Sequence, residues 1–203
     1  MRRADLVRRI ERVGDPRDPS AALEQVMTPA PAAAELLFSA FAAGDLLGRS
    51  VLDLGSGTGR LAIGAALLGA SPVRGVELDS RLLAAAREAA ATEGVSVDFV
   101  RTDVIAVTET AETVVMNPPF GAQRRHADRP FWDAAFRLAG RSVYAFGLAD
   151  SRSFIARRAV DAGAHVLAAR PVAWELPRTF PHHTRRRVSL DVDLWAIRTE
   201  RTR

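Results

Sequence analysis

The chain predicts an α/β fold: a parallel sheet with helices on both faces, finished at one end by an antiparallel hairpin. Three observations carry this. From residue 50 onward, short apolar runs alternate with alanine- and leucine-rich helical stretches, the rhythm of a parallel sheet. The first of these runs, VLDLGSGTGRLAIG, passes from strand to helix through a turn with alternate glycines. The last two runs, HVLAARPVAWEL and RRVSLDVDLWAI, have no helix between them, only a basic loop.

Before residue 50 the chain is helical. Leu6, Ile10 and Val13 sit at helical spacing, and that segment ends at Asp15-Pro16. Ser20 caps a second short helix through Val26. Thr28-Pro29-Ala30-Pro31 opens a longer one, AAAELLFSAFAAG, closed by Gly44. The alternating part then runs strand 50–54, helix 59–69, strand 72–78, a helix from Ser80, strand 95–100, strand 112–116, helix RPFWDAAFRLAG, strand 141–147 and helix SRSFIARRAVDAG. In the final run Val188, Leu190, Val192 and Leu194 alternate with Ser189, Asp191 and Asp193, which predicts a half-exposed antiparallel strand. Seven strands in this order are the layout of the Rossmann-like, S-adenosylmethionine-dependent methyltransferase fold.

At 203 residues the chain suffices for one well-cored domain and is short for two. The expectation is a single domain, 1–203, in which a short basic helical extension (1–27) precedes a catalytic core (28–203). No apolar run reaches the roughly 18 residues of a membrane span. The N-terminus, MRRADLVRRIERVGD, lacks a continuous signal-peptide core, so a cytoplasmic location is expected. The absence of cysteine excludes disulfides and Cys-based zinc sites within the chain. His182 and His183 have no third ligand in sight, and no metal site is expected.

Every basic side chain other than the four histidines is arginine. The pI of 10.9 therefore overstates a formal charge of only +4, because almost nothing titrates between neutrality and the arginine range. Distribution says more. LPRTFPHHTRRRV (176–188) carries four arginines and two histidines without an acid, and QRRHADRPF (123–131) is similar with one acid. Two such loops in one small protein favour a polyanionic partner.

The glycine turn reads D-x-G-x-G-x-G: Asp53, Gly55, Gly57, Gly59. Glycine allows positive φ and close approach of a ligand to the backbone. This is not the G-x-G-x-x-G that seats a pyrophosphate. An acid just ahead of the glycines repels a diphosphate and suits the cationic amino-acid end of S-adenosyl-L-methionine. Glu77 ends the second strand, where a carboxylate accepts both hydroxyls of a ribose. Asp79 starts the following helix. Asp103, just after the third strand, is placed to accept from the adenine amine. Taken singly, each acid reads as a cap or surface charge; together, at successive strand ends, they read as a cofactor site.

The fourth strand ends in VVMNPPFG. In the usual order of such sheets the first and fourth strands are neighbours, so Gly55 and Asn117 emerge side by side at the edge where ligands bind. An exocyclic nucleobase amine is a poor nucleophile because its lone pair is delocalised into the ring. The Asn117 side-chain oxygen and the Pro118 carbonyl provide two acceptors for its N–H groups, favouring pyramidal nitrogen and stabilising the developing positive charge. Pro118 and Pro119 rigidify these acceptors, and Phe120 offers a face on which an extruded base can stack. Asn117 also borders the cofactor.

At these residues the chain resembles the methyltransferase-like protein five group of adenine-N6 ribosomal RNA methyltransferases and its archaeal relatives. The resemblance spans roughly residues 22 to 196 and includes LEQVMT, VLDLGSGTGRLAIGAALLGA, VVMNPPFG followed by HADRPF, and LPRTFPHHTRRRVSLDVDL. It implies a small-subunit ribosomal RNA substrate methylated on one adenine. It also implies a small zinc-binding activator protein that pairs with the enzyme along the edge strand at 95–100. Gln25 and Thr28 would close over the cofactor, although Val26 stands where the family commonly has tyrosine. Phe180 would lie on the substrate path, and Arg124, Arg125, Arg185, Arg186 and Arg187 would hold phosphates, a role suited to bidentate arginine. Rival acceptors on the same fold are guanine N2, DNA adenine or a protein glutamine amide. Glutamine enzymes usually carry tyrosine after the two prolines, and many guanine-N2 enzymes duplicate the domain. A non-catalytic RNA-binding relative predicts decay of the glycines or of NPPF, and both are intact.

Overall fold

A computed structural model describes residues 1–14, 28–121, 125–174 and 190–199. The helices among these are α1 (Arg3–Glu11), α2 (Ala30–Ala42), α3 (Arg60–Leu67), α4 (Ser80–Glu93), α5 (Arg129–Leu138) and α6 (Arg152–Asp161). The strands are β1 (Val51–Leu54), β2 (Val73–Glu77), β3 (Asp98–Arg101), β4 (Ala111–Met116), β5 (Ala139–Leu148), β6 (Ala164–Val172) and β7 (Val192–Thr199). They form one seven-stranded sheet in the order β3-β2-β1-β4-β5-β7-β6. Strands β1 to β5 pair in parallel; β7 is antiparallel to both β5 and β6.

The sheet separates two cores. Val115, Tyr144 and Phe146 face the side covered by α1 to α4, whereas Val114, Met116, Val143 and Ala145 face α5 and α6. Successive residues thus feed opposite cores, which is why these strands read as continuous apolar runs. Leu6, Ile10 and Val13 of the first segment are fully buried in the α1–α4 core. Buried Glu93 at the end of α4 fixes α1 there, accepting from Arg9 Nε at 2.6 Å and Arg12 Nε at 2.8 Å. As expected, α4 begins at Ser80 with Asp79 as its cap, the Asp79 carboxylate accepting from the Arg81 N–H.

Three expectations are corrected. β7 is not half-exposed: it lies between β5 and β6 with both faces covered, and Asp193 is buried, its charge met by Arg152 Nη2 at 2.7 Å. The exposed face belongs instead to the outer strand β6. The helix expected to run through Gly140 stops at Leu138, and β5 begins at once with Ala139. The strand expected at 95–100 is shorter and shifted, β3 at Asp98–Arg101, but it is an outer edge of the sheet as anticipated. The short helix expected to end at Val26 lies outside the described residues.

Candidate active site

Register assembles the site. Leu54 pairs with Val76 on one side and Met116 on the other, so Gly55, Glu77 and Asn117 leave three neighbouring strands at the same level. The turn after β1 folds against β2: the N–H groups of Gly55 and Ser56 both donate to the Val76 carbonyl at 2.9 Å. The Gly57 N–H donates to Glu77 Oε2 at 3.0 Å. The other oxygen, Glu77 Oε1, accepts from the N–H groups of Leu78 (2.8 Å) and Asp79 (3.0 Å). One carboxylate thereby ties the glycine turn to the β2–α4 loop.

Gly55 and Gly57 require glycine for different reasons. Both have positive φ (71° and 55°), which L side chains adopt with strain. At Gly55 a Cβ would also lie 2.8 Å from Cε1 of Phe131 on α5, whereas at Gly57 it would meet nothing within 4 Å. The turn is packed tightly from behind and open over Gly57, the shape of a cradle. Gly59 repeats the tight case, since a Cβ there would lie 2.9 Å from Cζ of Phe99.

Beneath the cradle Asp53 is 1% exposed. Its Oδ2 accepts from the Ala62 N–H at 2.9 Å, while Oδ1 is buried without a hydrogen bond. Burial pushes its carboxyl up to about 7; the Ala62 N–H opposes the shift and the nearby Glu77 charge adds to it. Such a group favours a cationic neighbour.

Thr28 is nearly buried, and its carbonyl accepts from Arg60 Nη1 at 2.7 Å. Arg60 Nη2 also donates to the Val13 carbonyl at 3.0 Å, so the segments after α1 and before α2 meet at the first residue of α3, next to Gly59. Asp103 caps the 3₁₀ turn Val104–Ala106, its Oδ1 accepting from the Ile105 N–H at 3.0 Å. Asn117 and Pro119 are half-buried and Pro118 is buried. The half-buried Phe120 ring meets Trp174 edge to face, with centroids 5.5 Å apart. Arg125 is exposed in the turn before α5. Gln25, Arg124, Phe180, Arg185, Arg186 and Arg187 lie outside the described residues.

Four residues at this rim escape sequence reasoning. Leu78, 46% exposed, follows Glu77, and Ile105, 68% exposed, lies two beyond Asp103. Each is an exposed apolar side chain within two residues of an acid at a strand end, and that proximity was the available signal. Phe131 backs Gly55, and Trp174 holds Phe120. Phe131 ends the HADRPF stretch but had no role assigned to it, and Trp174 had no sequence signal beyond being aromatic.

The geometry therefore brings together a glycine turn open over Gly57 above a buried acid, the Glu77 carboxylate at the end of β2, exposed Leu78 and Ile105, and Asn117 and Pro118 at the end of β4. Comparisons with known proteins bear on the family. Residues 30–142 match the family described as methyltransferase small domain. An uncharacterized protein of Methanocaldococcus jannaschii is 33% identical over 89% of this chain and 86% of its own length. The rRNA N(6)-adenosine-methyltransferase Mettl5 of Drosophila melanogaster is 34% identical, over 74% of each chain. The crystal structure of a candidate RNA methyltransferase from Pyrococcus horikoshii superposes with a TM-score of 0.90 at 35% identity, covering 98% of both chains.

Proposed function

We propose, from a chain that belongs to the methyltransferase small domain family and within it to the rRNA N6-adenosine methyltransferases, an enzyme that methylates the N6 amine of an adenosine in RNA. S-adenosylmethionine is the methyl donor, and small-subunit ribosomal RNA is the substrate. The observation that carries the reading is the register of β1 with β4, which sets the glycine cradle directly beside Asn117-Pro118-Pro119-Phe120.

The residues fit that cofactor. The space over Gly57 is open, and Asp53 beneath the turn keeps a buried oxygen without a hydrogen bond that a cationic amino group would satisfy through the field it feels. Glu77 would exchange some of its backbone bonds for the ribose hydroxyls, Asp103 would face the adenine amine, and Leu78 and Ile105 would flank the ring. When bound, the sulfonium would supply an electrophilic methyl group: the amine nitrogen would bond to the methyl carbon as the carbon–sulfur bond breaks, the thioether would leave with the electron pair, and the nitrogen would release one proton to water.

The chain's own part is acceptor geometry. Asn117 Oδ1 and the Pro118 carbonyl hold the two N–H groups of the amine, turning its lone pair towards the cradle and stabilising the charge that grows on nitrogen. The prolines keep both acceptors from relaxing, so their orientation costs no reorganisation during transfer. Phe120 stacks the extruded base. Arg124, Arg125, Phe180, Arg185, Arg186 and Arg187 hold the surrounding RNA, and Gln25 and Thr28 border the cofactor.

Residues 1–203 act as one catalytic domain, with 1–27 as the extension that precedes its core. No helix among the described residues is long and apolar enough to cross a membrane, and the proposed location is cytoplasmic. A small zinc-binding activator would add to the outer edge of β3, whose four residues pair, among the described residues, only with β2. The test of acceptor class is to incubate the purified protein, with and without such an activator, with methyl-labelled S-adenosylmethionine and, separately, unmodified small-subunit rRNA, duplex DNA and a protein extract. Label confined to RNA is expected. Label in DNA or protein instead would overturn the reading.

A further inference from the structure

Three tryptophans are buried, and only one of them reaches the rim. Trp132 and Trp195 meet each other at 6.2 Å within the α5–α6 core. Trp174, 4% exposed, lies two residues past the end of β6, in the opposite core. Its indole is gripped from below by Phe146 of β5, with centroids 5.0 Å apart and planes at 68°. On its other contact it meets the Phe120 ring, at 5.5 Å and again 68°. Phe146 is fully buried, Trp174 nearly so and Phe120 half-buried. The three rings thus step from the sheet interior to the site, each steeply inclined to the next.

Phe120 directly follows two residues of fixed φ, which stiffen the chain leading into it but do not set the direction of its ring. Ring direction is what the edge-to-face contact with Trp174 supplies. Such a contact occupies at most one face of the Phe120 ring and leaves the other for a base. By sequence, Trp174 is also two residues before the basic stretch 176–188.

We infer that Trp174 is a positioning residue for the acceptor base, acting through the ring of Phe120. The inference rests on the reading that Asn117 to Phe120 receive that base. Trp174 touches neither cofactor nor reacting atoms. It sets the tilt of the stacking ring and hence the distance from the base amine to the two acceptors. A displacement of about 1 Å at such a position costs on the order of 10²-fold in rate.

The test is a double-mutant cycle with Trp174→Met, which fills much of the volume but removes the ring, and Phe120→Leu. Methyl transfer to unmodified small-subunit rRNA gives kcat and KM, calorimetry gives S-adenosylmethionine affinity, and thermal melts report folding. Trp174→Met is expected to lower kcat between about tenfold and 10²-fold with S-adenosylmethionine affinity unchanged. In the Phe120→Leu background the same change is expected to alter kcat by no more than about twofold. Trp174→Phe, which keeps an aromatic edge in the contact, is expected to recover most of the rate and stands in if the methionine variant does not fold. If the two effects multiply independently, or if Trp174→Phe is as slow as Trp174→Met, Trp174 only fills the core and the inference is overturned. If Phe120→Leu alone leaves kcat intact, the stacking reading itself fails, whatever Trp174 does.

Discussion

Two fully buried aspartates stand at opposite ends of the same sheet, and their surroundings differ. Asp45, below the strand starts, accepts from Arg141 Nε (2.6 Å), Ser142 Oγ (2.8 Å), Tyr144 Oη (2.8 Å) and Arg198 Nη1 (3.1 Å). Its backbone carbonyl takes the Thr113 hydroxyl at 2.7 Å. Burial alone would raise its carboxyl, but Arg141, Tyr144, Ser142 and Arg198 together hold it below the ordinary range. Asp53, at the strand ends, has one hydrogen bond, and burial drives it to about 7. The saturated acid is part of the scaffold, and the under-supplied one is the candidate for a ligand to complete.

That contrast predicts that changes at the upper rim cost activity and changes at the lower rim cost stability. The largest effect is expected from Asn117→Ala. Losing one acceptor should lower kcat by about 10²–10³-fold while melting temperature and S-adenosylmethionine affinity stay near wild type, read by single-turnover transfer and calorimetry. Asp45→Ala should do the reverse. Two arginines, a tyrosine and a serine lose their common acceptor, and denaturant unfolding should show a loss of about 3 kcal/mol with cofactor affinity of the folded fraction retained. Gly55→Ala sits between the two. Positive φ and the Phe131 contact should cost about 1–2 kcal/mol of stability and weaken S-adenosylmethionine binding in the same titration.

The pH dependence is the sharpest in sign. A folded carboxyl raised from 3.8 to about 7 contributes stability that is fully present below 3.8 and is lost as pH rises towards and through about 7. Asp45, held low, does the opposite: its contribution is present above 3.8 and is lost as acid protonates it in the folded state. Asp53→Asn should therefore flatten the decline in unfolding free energy between about pH 4 and 8. Asp45→Asn should flatten the fall below about pH 4. A decline that persists unchanged in Asp53→Asn would mean another group titrates in that window.

Much of the upper rim was legible in sequence because glycine and proline write backbone geometry directly. Gly55 and Gly57 announce positive φ, and Pro118-Pro119 announce a strand end. Acids at the ends of β2 and β3 were legible for the same reason, their position after an apolar run. What was not legible depends on partners distant in sequence. The Asp191–Asp193 alternation looked like a solvent face, yet Arg152 on α6 supplies the counter-charge that buries Asp193. Only the position of β6 outside β7 turns that strand into an interior one. Trp174 and Phe120 are 54 residues apart, and no local period connects them. The β5 start was missed because the propensities of Ala139 and Gly140 point away from a strand, and pairing with β4 overrides them.

The most direct measurement is the identity of the modified nucleoside. Small-subunit rRNA methylated by the purified protein would be digested to nucleosides and resolved by mass spectrometry. N6-methyladenosine is the predicted product, absent when Asn117→Ala replaces the wild type. N2-methylguanosine, or a methylated nucleoside that persists with Asn117→Ala, would contradict the assignment of Asn117 and Pro118 as the acceptors that select an adenine amine.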